Sequence, residues 1–424
     1  MLLRLGGKND TIIMPTLLQI NATVNTGSTG RIAEEIGQRA ITAGYDSYIA
    51  YGRVARGSQS HVIKIGSKWN VRWHGLISLL FDAHGFGSKR ATKKFVEQID
   101  RIHPDVILFH NIHGYYLNID VLLSYLKNKD IPLFWTLHDC WPFTGHCSYF
   151  DAHNCEKWKT HCEHCPNQKG YPKSLLIDRS KHNFDKKKAL LTALPDVTFV
   201  PVCKWMGRIV EGSFMKGRSQ HVIYNGTNIE VFKPQNEEVV ESIKTKYNIK
   251  GKHVVLGVAS TWDKRKGLLD FEWLNTQLPD DYQIVLVGLS AEQVKNLSKG
   301  IVGIPRTESV QELAALYSLA DVFANPTYVD NFPTTNIEAL ACGTPVVTYY
   351  TGGSPEAIDG NTGIVVPKGD KEALKKAIIN IVTNKEKYTS EVCRKRAVEN
   401  FNKDNRFGDY IQLFNDTLNM KSNV

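Results

Sequence analysis

The amino-acid sequence predicts an α/β protein built from two doubly wound, Rossmann-like domains with a cleft between them. Short runs of Val, Ile, Leu and aromatic residues recur along the chain, and helical patterns rich in Ala, Leu, Glu and Lys separate most of them. Continuous apolar strands that alternate with helices are typical of βαβ units and buried parallel sheets. The length of 424 residues is enough for two or three domains. Ligands of such domains bind at the carboxyl ends of the strands.

The predicted strands fall into two series in chain order. The first series comprises residues 16–21, 46–51, 105–110, 132–137 and 197–202. The second comprises 221–225, 253–258, 282–287, 321–325, 345–349 and 363–366. Helical patterns include 30–43, 88–101, 308–320 and 370–383. Most of these helical patterns lie between consecutive strands of one series, as crossover connections require.

The domain boundary is predicted near residues 226–250, where the turn signal Asn225-Gly226 precedes a highly charged stretch. We expect an N-terminal domain over 1–226, a C-terminal domain over 227–404, and a final amphipathic helix over 405–424 that could pack back on the N-terminal domain. Residues 1–13 precede the first strand-like run and are interpreted as a start-site extension without a structural role.

Composition excludes several classes of protein. The chain is 42% hydrophobic and 22% charged, which is ordinary for a globular enzyme and unlike disordered, collagenous or coiled-coil chains. No apolar run approaches the ~18–20 residues that span a bilayer, and no export signal is evident, so a cytoplasmic chain is predicted. The net charge of +9 favours acidic small molecules or an anionic membrane face over nucleic acid.

The stretch from Tyr328 to Glu356 is the most informative part of the sequence. After a strand that ends near Thr327, a loop carries Asp330, and a helix opens at Thr334-Thr335. The backbone N–H groups of a first helical turn form a site for phosphate. Thr335-x-x-Glu338 also fits a capping box, which would give Glu338 a structural role instead.

This stretch resembles the nucleotide-sugar motif of retaining family 4 glycosyltransferases, which have the GT-B fold. The motif reads DNFPTTNIEALACGTPVV, with two acidic residues separated by seven positions. Further family elements follow in order: a glycine loop (GSTG, 27–30), Asn225-Gly226, and RKG at 265–267. The segments HNIHGYYLN and TLHDCWPFTGHC are similar to segments found in the family branch that builds colanic acid, capsule and O-antigen.

The resemblance implies roles for residues of the C-terminal domain. Glu338 would hydrogen-bond the nucleotide ribose, and Asp330, where the family usually has Glu, would hold a donor-sugar hydroxyl. Lys266 would neutralise the leaving diphosphate, and Arg265 would either assist it or be a surface charge. The backbone around four residues would cradle the diphosphate: Phe332, Pro333, Thr334 and Thr335.

In the N-terminal domain, the resemblance places Gly27 and Gly30 beside the donor phosphates, although such a loop is common. His138 matches the family histidine near the reacting centre, which positions the donor sugar or stabilises the transition state. His110, His113 and Asp139 are candidate acceptor-side residues, and loop hydrogen bonding is the alternative role for the two histidines.

Cysteine is concentrated in a Cys/His-rich insertion over residues 140–172. Cys162-x2-Cys165 has the spacing of half a structural zinc site, and Cys147 and Cys155 could supply the other two thiolates. Reduced buried thiols and disulfides are the alternatives.

Residues 68–94 combine basic, aromatic and apolar residues in a pattern that suits an interface with anionic lipid. An ordinary helix pair with one solvated face explains the same pattern. Peripheral contact with the inner membrane face is therefore one of two interpretations.

The predicted function is transfer of a sugar from a nucleotide diphosphate donor, UDP or GDP, to a lipid-linked or oligosaccharide acceptor of a bacterial surface glycan. The resemblance implies a retaining reaction without a catalytic metal or other cofactor. The alternatives are a nucleotide-sugar epimerase or hydrolase of the same fold, or a zinc-stabilised module that binds nucleic acid or protein. Strongly salt-dependent binding to nucleic acid would identify the last of these.

Overall fold

A computed structural model describes residues 14–422 of the protein. The chain forms two compact units: one runs to Ile223 and also includes the segment from Phe407 onward, and the other is Tyr224–Arg406. The predicted extension over residues 1–13 lies outside the described residues.

The N-terminal unit contains a six-stranded parallel sheet in the order β3-β2-β1-β4-β5-β6. The strands are β1 (Thr16–Val24), β2 (Asp46–Ala55), β3 (His61–Lys64), β4 (Val106–Phe109), β5 (Leu133–Leu137) and β6 (Val197–Pro201). The helices are α1 (Gly27–Thr42), α2 (Lys68–Phe81), α3 (Lys89–Ile102), α4 (Ile119–Leu126), α5 (Ser180–Thr192) and α6 (Lys204–Gly212). Every residue of β4 and β5 is buried, which explains their continuous apolar sequences.

The C-terminal unit repeats this topology, with strand order β12-β11-β10-β7-β8-β9. Its strands are β7 (His253–Val258), β8 (Tyr282–Val287), β9 (Val302–Ile304), β10 (Val322–Asn325), β11 (Val346–Tyr349) and β12 (Gly363–Val366). Its helices are α7 (Glu237–Tyr247), α8 (Leu268–Asn275), α9 (Ala291–Asn296), α10 (Val310–Leu319), α11 (Thr334–Ala341), α12 (Lys371–Thr383) and α13 (Ser390–Phe401). In each sheet the strand order reverses between the first and fourth strands of the unit, which is where doubly wound sheets bind ligands.

A last helix, α14 (Lys403–Ser422), returns the chain to the N-terminal unit. Phe407, Tyr410, Ile411 and Phe414 join the same apolar core as Leu17 and Phe134. The Thr136 hydroxyl donates to the Tyr410 hydroxyl at 3.1 Å. The N-terminal core is thus assembled from residues at both ends of the described chain.

The predicted fold class is confirmed: both units are α/β with six-stranded parallel sheets. One predicted strand is wrong, because residues 221–225 form no strand of the second sheet. His221 N–H instead donates to Phe199 O, and Ile223 N–H donates to Pro201 O, so this segment runs beside β6 of the first unit. The short strands β3 and β9 were not predicted. β3 is largely exposed, and β9 has only three residues, so neither gives a clear apolar run.

Candidate functional site

The carboxyl ends of β7 and β10 lie side by side, because the two strands pair in parallel with Val255 beside Val322. β7 leads into a tight turn over Lys264–Lys266, and β10 leads into the loop that carries Asp330. The Tyr328 N–H donates to Arg265 O at 2.7 Å, which fixes the loop to the turn. The strand pairing therefore brings together residues 64 positions apart in sequence.

Lys266 and Asp330 form an ion pair at this edge. The Lys266 Nζ lies 2.5 Å from Asp330 Oδ2, and both side chains are partly exposed, at 27% and 20%. The next residue, Gly267, has φ +74°, and a Cβ there would lie 2.8 Å from Pro326 Cγ. Glycine at this position lets the turn approach the β10 loop closely. The result is a lysine held in place at the edge where ligands are expected, with solvent access.

Helix α11 begins at Thr334, the residue at which the sequence predicted a helix to open. Its N-cap is Pro333, and no side chain caps its first turn. The capping-box alternative is therefore wrong, because Thr335 lies inside the helix. Glu338 instead accepts a hydrogen bond from the Tyr317 hydroxyl at 3.1 Å. The amino end of α11 follows directly on the Asp330 loop, and the dipole of the helix favours an anion there.

Phe332 anchors the Asp330 loop to the C-terminal unit. Its side chain is only 4% exposed and packs against Tyr224 and Phe401, with ring centroids 5.1 and 5.8 Å away. The Phe332 carbonyl accepts a hydrogen bond from Asn225 Nδ2 at 3.4 Å. Phe332 was among the residues predicted to bind the donor. Its ring is part of the hydrophobic core, so its contribution to the site is the position of its backbone.

A buried polar network holds the amino end of α11, and sequence reasoning missed it. Asn336 Nδ2 donates to Ser354 Oγ at 2.9 Å, and its Oδ1 accepts from Asn325 Nδ2 at 2.7 Å. The Ser354 and Thr348 hydroxyls are 2.6 Å apart. Three of these four residues lie within the stretch from Tyr328 to Glu356. Polar residues without an assigned role in an otherwise apolar motif were therefore the sequence signal for this network.

Arg265 is engaged locally. Its guanidinium Nη2 lies 2.8 Å from Asp263 Oδ2, and its backbone N–H donates to Asp263 Oδ1 at 2.9 Å. Asp263 thereby caps the turn that presents Lys266. The neighbouring arginine thus stabilises the turn, while Lys266 pairs with the other loop.

In the N-terminal unit, the two predicted glycines have different surroundings. Gly27 has φ +68°, and a Cβ there would meet no heavy atom within 4 Å, so it opens α1 in a conformation that side chains disfavour. A Cβ on Gly30 would lie 2.7 Å from Thr23 Oγ1. Close packing against β1 is therefore sufficient to explain Gly30.

A chain of hydrogen bonds at the carboxyl ends of β1, β4 and β5 orients His138. Gln19 Nε2 donates to Ala33 O at 2.9 Å, so Gln19 Oε1 is left to accept from His110 Nε2–H at 2.9 Å. Burial lowers the pKa of His110 well below its usual range, so its neutral ring can accept at Nδ1. His138 Nε2–H is the donor to that nitrogen, at 3.0 Å. The chain fixes His138 as the Nε2-protonated tautomer and directs its basic lone pair to Nδ1.

His138 itself is half-buried, and burial lowers its pKa to about 4. At neutral pH the imidazole is therefore uncharged, able to donate or accept a hydrogen bond but not to supply a positive charge.

His113 and Asp139 form a second, buried pair. His113 Nε2 lies 2.8 Å from Asp139 Oδ2, and the Trp141 N–H donates to Asp139 Oδ1 at 3.0 Å. Burial acts to raise the pKa of Asp139, but the charge and hydrogen bond of His113 outweigh it and lower that pKa. The predicted acceptor-side residues His110, His113 and Asp139 are at most 6% exposed. They therefore lie beneath the protein surface and support the residues that form it.

Residues 252–384 match the family described as "Glycosyl transferases group 1". The chain is 25% identical over 371 residues to the colanic acid biosynthesis glycosyl transferase WcaC of Escherichia coli strain K12, which covers 82% of this chain and 87% of that protein. Residues 252–384 of the chain therefore form a glycosyl transferases group 1 domain.

Solved structures share the fold of this chain. The sucrose-phosphate synthase of Thermosynechococcus elongatus superposes with a TM-score of 0.69 at 18% identity, covering 96% of this chain and 100% of that one. Anabaena Alr3699/HepE, solved in complex with UDP and glucose, superposes with a TM-score of 0.67 at 14% identity, covering 94% and 99%. The fold is GT-B, as the sequence predicted.

The predicted site residues gather into groups within each unit. In the C-terminal unit, Lys266 and Asp330 are in contact, and the Asp330 loop runs directly into α11, which carries Glu338. In the N-terminal unit, His110 contacts His138, and His113 contacts Asp139. Gln19, which fixes the tautomer of His138, was not predicted, because a glutamine in an apolar strand carries no motif of its own.

Proposed function

We propose that the protein transfers a sugar, with retention of anomeric configuration, from a nucleotide diphosphate donor to a hydroxyl of a bacterial surface-polysaccharide intermediate. The observation that carries the proposal is the Lys266–Asp330 pair, which lies where strand order reverses and next to the amino end of α11. A lysine and a helix amino terminus together provide a site for a diphosphate. The relationship to a colanic acid glycosyl transferase favours a polysaccharide acceptor.

In the proposed reaction the bond between the anomeric carbon and the diphosphate oxygen breaks, and a new bond forms from the same face to the acceptor oxygen. The acceptor proton passes to the departing phosphate, so no separate base is required. Lys266 stabilises the negative charge that develops on the diphosphate, and no metal ion is needed for that purpose. Asp330 accepts a hydrogen bond from the donor sugar, and Glu338 binds the ribose.

We assign the neutral imidazole of His138 to the transferred sugar, as a hydrogen-bonding group. Its fixed tautomer supports this role, because a positioned side chain is most effective when its donor and acceptor atoms are predetermined. UDP is the nucleotide we test first, because the related fold of Alr3699/HepE was solved with UDP.

The first experiment is a thermal-shift panel with UDP, GDP, dTDP, ADP and CMP. A ligand at 100 times its dissociation constant stabilises the folded state by about 2.7 kcal/mol, which raises the melting temperature by several degrees. We expect one diphosphate to exceed the others, and UDP or GDP to be that one. Equal melting temperatures with all five nucleotides would contradict the assignment of the donor site.

The second experiment establishes the reaction. The matching nucleotide sugar is incubated with a lipid-linked oligosaccharide acceptor, and the anomeric configuration of the product is determined by NMR. Retention together with acceptor-dependent release of the nucleotide is expected. Inverted product would contradict the retaining mechanism, and release independent of acceptor would identify a hydrolase instead.

We also propose that the N-terminal unit contacts anionic lipid through one face of α2. Trp69, Trp73 and Leu76 lie four and three positions apart on this helix, with exposed fractions of 75%, 64% and 44%. Leu175 N–H donates to Leu79 O at 2.8 Å, which places the exposed Leu175 and Leu176 beside the same helix. Within residues 14–422 no helix is long and apolar enough to cross a membrane.

Charge supports a lipid partner for this face. Lys68 and Arg72 lie on α2 among the exposed tryptophans, and Arg72 stacks on Trp69 with its guanidinium carbon 5.2 Å from the ring centroid. Basic and aromatic side chains together favour the surface of an anionic bilayer.

Sedimentation of the protein with phosphatidylglycerol vesicles should be reduced by the double substitution Trp69→Ala with Trp73→Ala. The matched control is Tyr350→Ala, which removes an exposed aromatic side chain of the C-terminal unit. Equal sedimentation of both variants would contradict the assignment.

A further inference from the structure

The segment between β5 and α5, residues 138–179, has little regular structure; residues 139–148 are buried, whereas most of 151–179 is partly or fully exposed. It contains only three single-turn 3-10 helices, at Trp141–Phe143, Asp151–His153 and Lys157–Lys159. A connection of this length without regular structure is uncommon in a compact domain and needs another source of order.

Four cysteine side chains of this segment line one small cavity: Cys147, Cys155, Cys162 and Cys165. The Cys147 and Cys165 thiols are hydrogen-bonded to each other. All eight cysteines of the chain lie within the described residues, and none of them forms a disulfide. Four cysteines at most 18 positions apart in an irregular loop thus line the same cavity.

Two of the four sulfur atoms receive backbone hydrogen bonds. The Gly145 N–H donates to Cys162, and the Asn167 N–H donates to Cys165. A Cβ on Gly145 would lie 2.8 Å from Cys162 Cβ, so only glycine allows this approach. Backbone N–H groups aimed at sulfur stabilise thiolates, the form in which cysteine binds a metal.

Positively ionisable groups surround the same cavity. His146 lines it and is 2% exposed; its Nδ1 lies 2.6 Å from Asp82 Oδ1, and its buried Nε2 has no hydrogen-bond partner among residues 14–422. Lys187 is 1% exposed, donates to Trp141 O at 2.6 Å, and interacts electrostatically with Cys162 and Cys147.

We propose that Cys147, Cys155, Cys162 and Cys165 bind one zinc ion in a closed structural site that is independent of sugar transfer. Zinc is chosen over harder cations because four sulfur ligands and the Cys-x2-Cys spacing suit it. In residues 14–422 no three His, Cys, Asp or Glu side chains are already arranged to hold a metal ion, so the thiols turn toward one another as zinc binds.

The test is the metal content of the full-length protein, purified without chelators and without a histidine tag. Inductively coupled plasma mass spectrometry should find about one zinc per chain, as for a closed structural site. Cys162→Ser with Cys165→Ser should reduce the zinc content to a small fraction of that. Cys140→Ala is the matched control, because Cys140 is a buried cysteine of the same segment that does not line the cavity, and its zinc content should be unchanged.

A second measurement uses the unmutated chain, so that misfolding of a variant does not decide the outcome. Cobalt-substituted protein should show the thiolate-to-cobalt absorption of a tetrahedral sulfur site, and zinc should be released when the thiols are titrated with a mercurial. Folded wild-type protein that binds nucleotide but contains no stoichiometric metal, even after growth with added zinc, would overturn the proposal. Four thiols recovered as disulfides, or equal loss of zinc in Cys140→Ala, would overturn it as well.

Discussion

Lys266 and Asp330 hold each other at the place where we propose that the diphosphate leaves. A carboxylate 2.5 Å from the ammonium group reduces the positive potential available to an anion, so the ion pair has to loosen when the donor binds. The donor sugar can compensate by donating a hydroxyl hydrogen bond to Asp330. Binding of the sugar and binding of the diphosphate are then coupled through one side-chain pair.

Removal of the charge by Lys266→Ala should lower kcat by tenfold or more, because the developing charge on the leaving group loses a positioned stabiliser. Steady-state turnover of the nucleotide sugar measures the effect. Lys264→Ala is the matched control, since Lys264 is an exposed lysine of the same turn, and its kcat should stay near wild type. Equal losses in the two variants would assign the effect to general surface charge.

Glu338→Ala should weaken nucleotide binding by roughly 10–100-fold, the equivalent of one or two hydrogen bonds to a charged group. Calorimetric titration with the nucleotide gives the affinity, and the urea midpoint reports on the fold. Tyr317→Phe removes the hydroxyl that donates to Glu338 but keeps the carboxylate, so its loss should be smaller. A collapse of stability in Glu338→Ala without a change in affinity would show that the residue is structural.

The N-terminal unit should lose stability as the pH falls from 6.5 toward 4. Burial lowers the folded-state pKa values of His74 and His138 from 6.5 to about 4, so in this window the unfolded chain binds more protons than the folded one. Thermal unfolding across this pH range should show a smaller slope in His138→Gln than in wild type. His221→Gln, at an exposed position of the same unit, should keep the wild-type slope.

At the level of elements, the sequence was sufficient where an apolar run was fully buried, as for β4 and β5. The sequence was insufficient where backbone pairing depends on residues far away along the chain. Residues 221–225 have the pattern of a strand of the second sheet, but they hydrogen-bond to β6 of the first. The same reason explains the site. The motif predicted Asp330 and Lys266 separately, whereas their contact depends on the order of β7 and β10 in the sheet, which no local pattern encodes.

The turn that presents Lys266 depends on Gly267. Gly267→Ala should destabilise the C-terminal unit by about 1–2 kcal/mol, because a side chain disfavours φ +74°, and the added Cβ would also crowd Pro326. Urea unfolding measures the change, and kcat should fall as Lys266 shifts. Gly360→Ala is the control, since a Cβ there meets nothing within 4 Å and should leave both quantities near wild type.

At the scale of the whole molecule, each unit has a core of its own, and α14 belongs to the core of the N-terminal one. Phe414→Ala removes a ring that is fully buried beside Phe134, with ring centroids 4.9 Å apart, and should cost about 3–5 kcal/mol. Differential scanning calorimetry should show a lower transition temperature for the N-terminal unit. The transition of the C-terminal unit, identified by its rise in temperature with UDP, should not change. Met420→Ala, at an exposed position of the same helix, is the control.

The return of α14 has a consequence for folding during synthesis. Domains commonly fold in the order in which they leave the ribosome. Here Phe407, Tyr410, Ile411 and Phe414, which complete the core around Leu17, are translated only after the whole of Tyr224–Arg406. We expect a chain released after Arg406 to hold a protease-resistant C-terminal unit and a protease-sensitive N-terminal one; equal resistance of both would contradict this. The unit that starts first is therefore finished last, and its apolar core stays incomplete for the time needed to build the other unit.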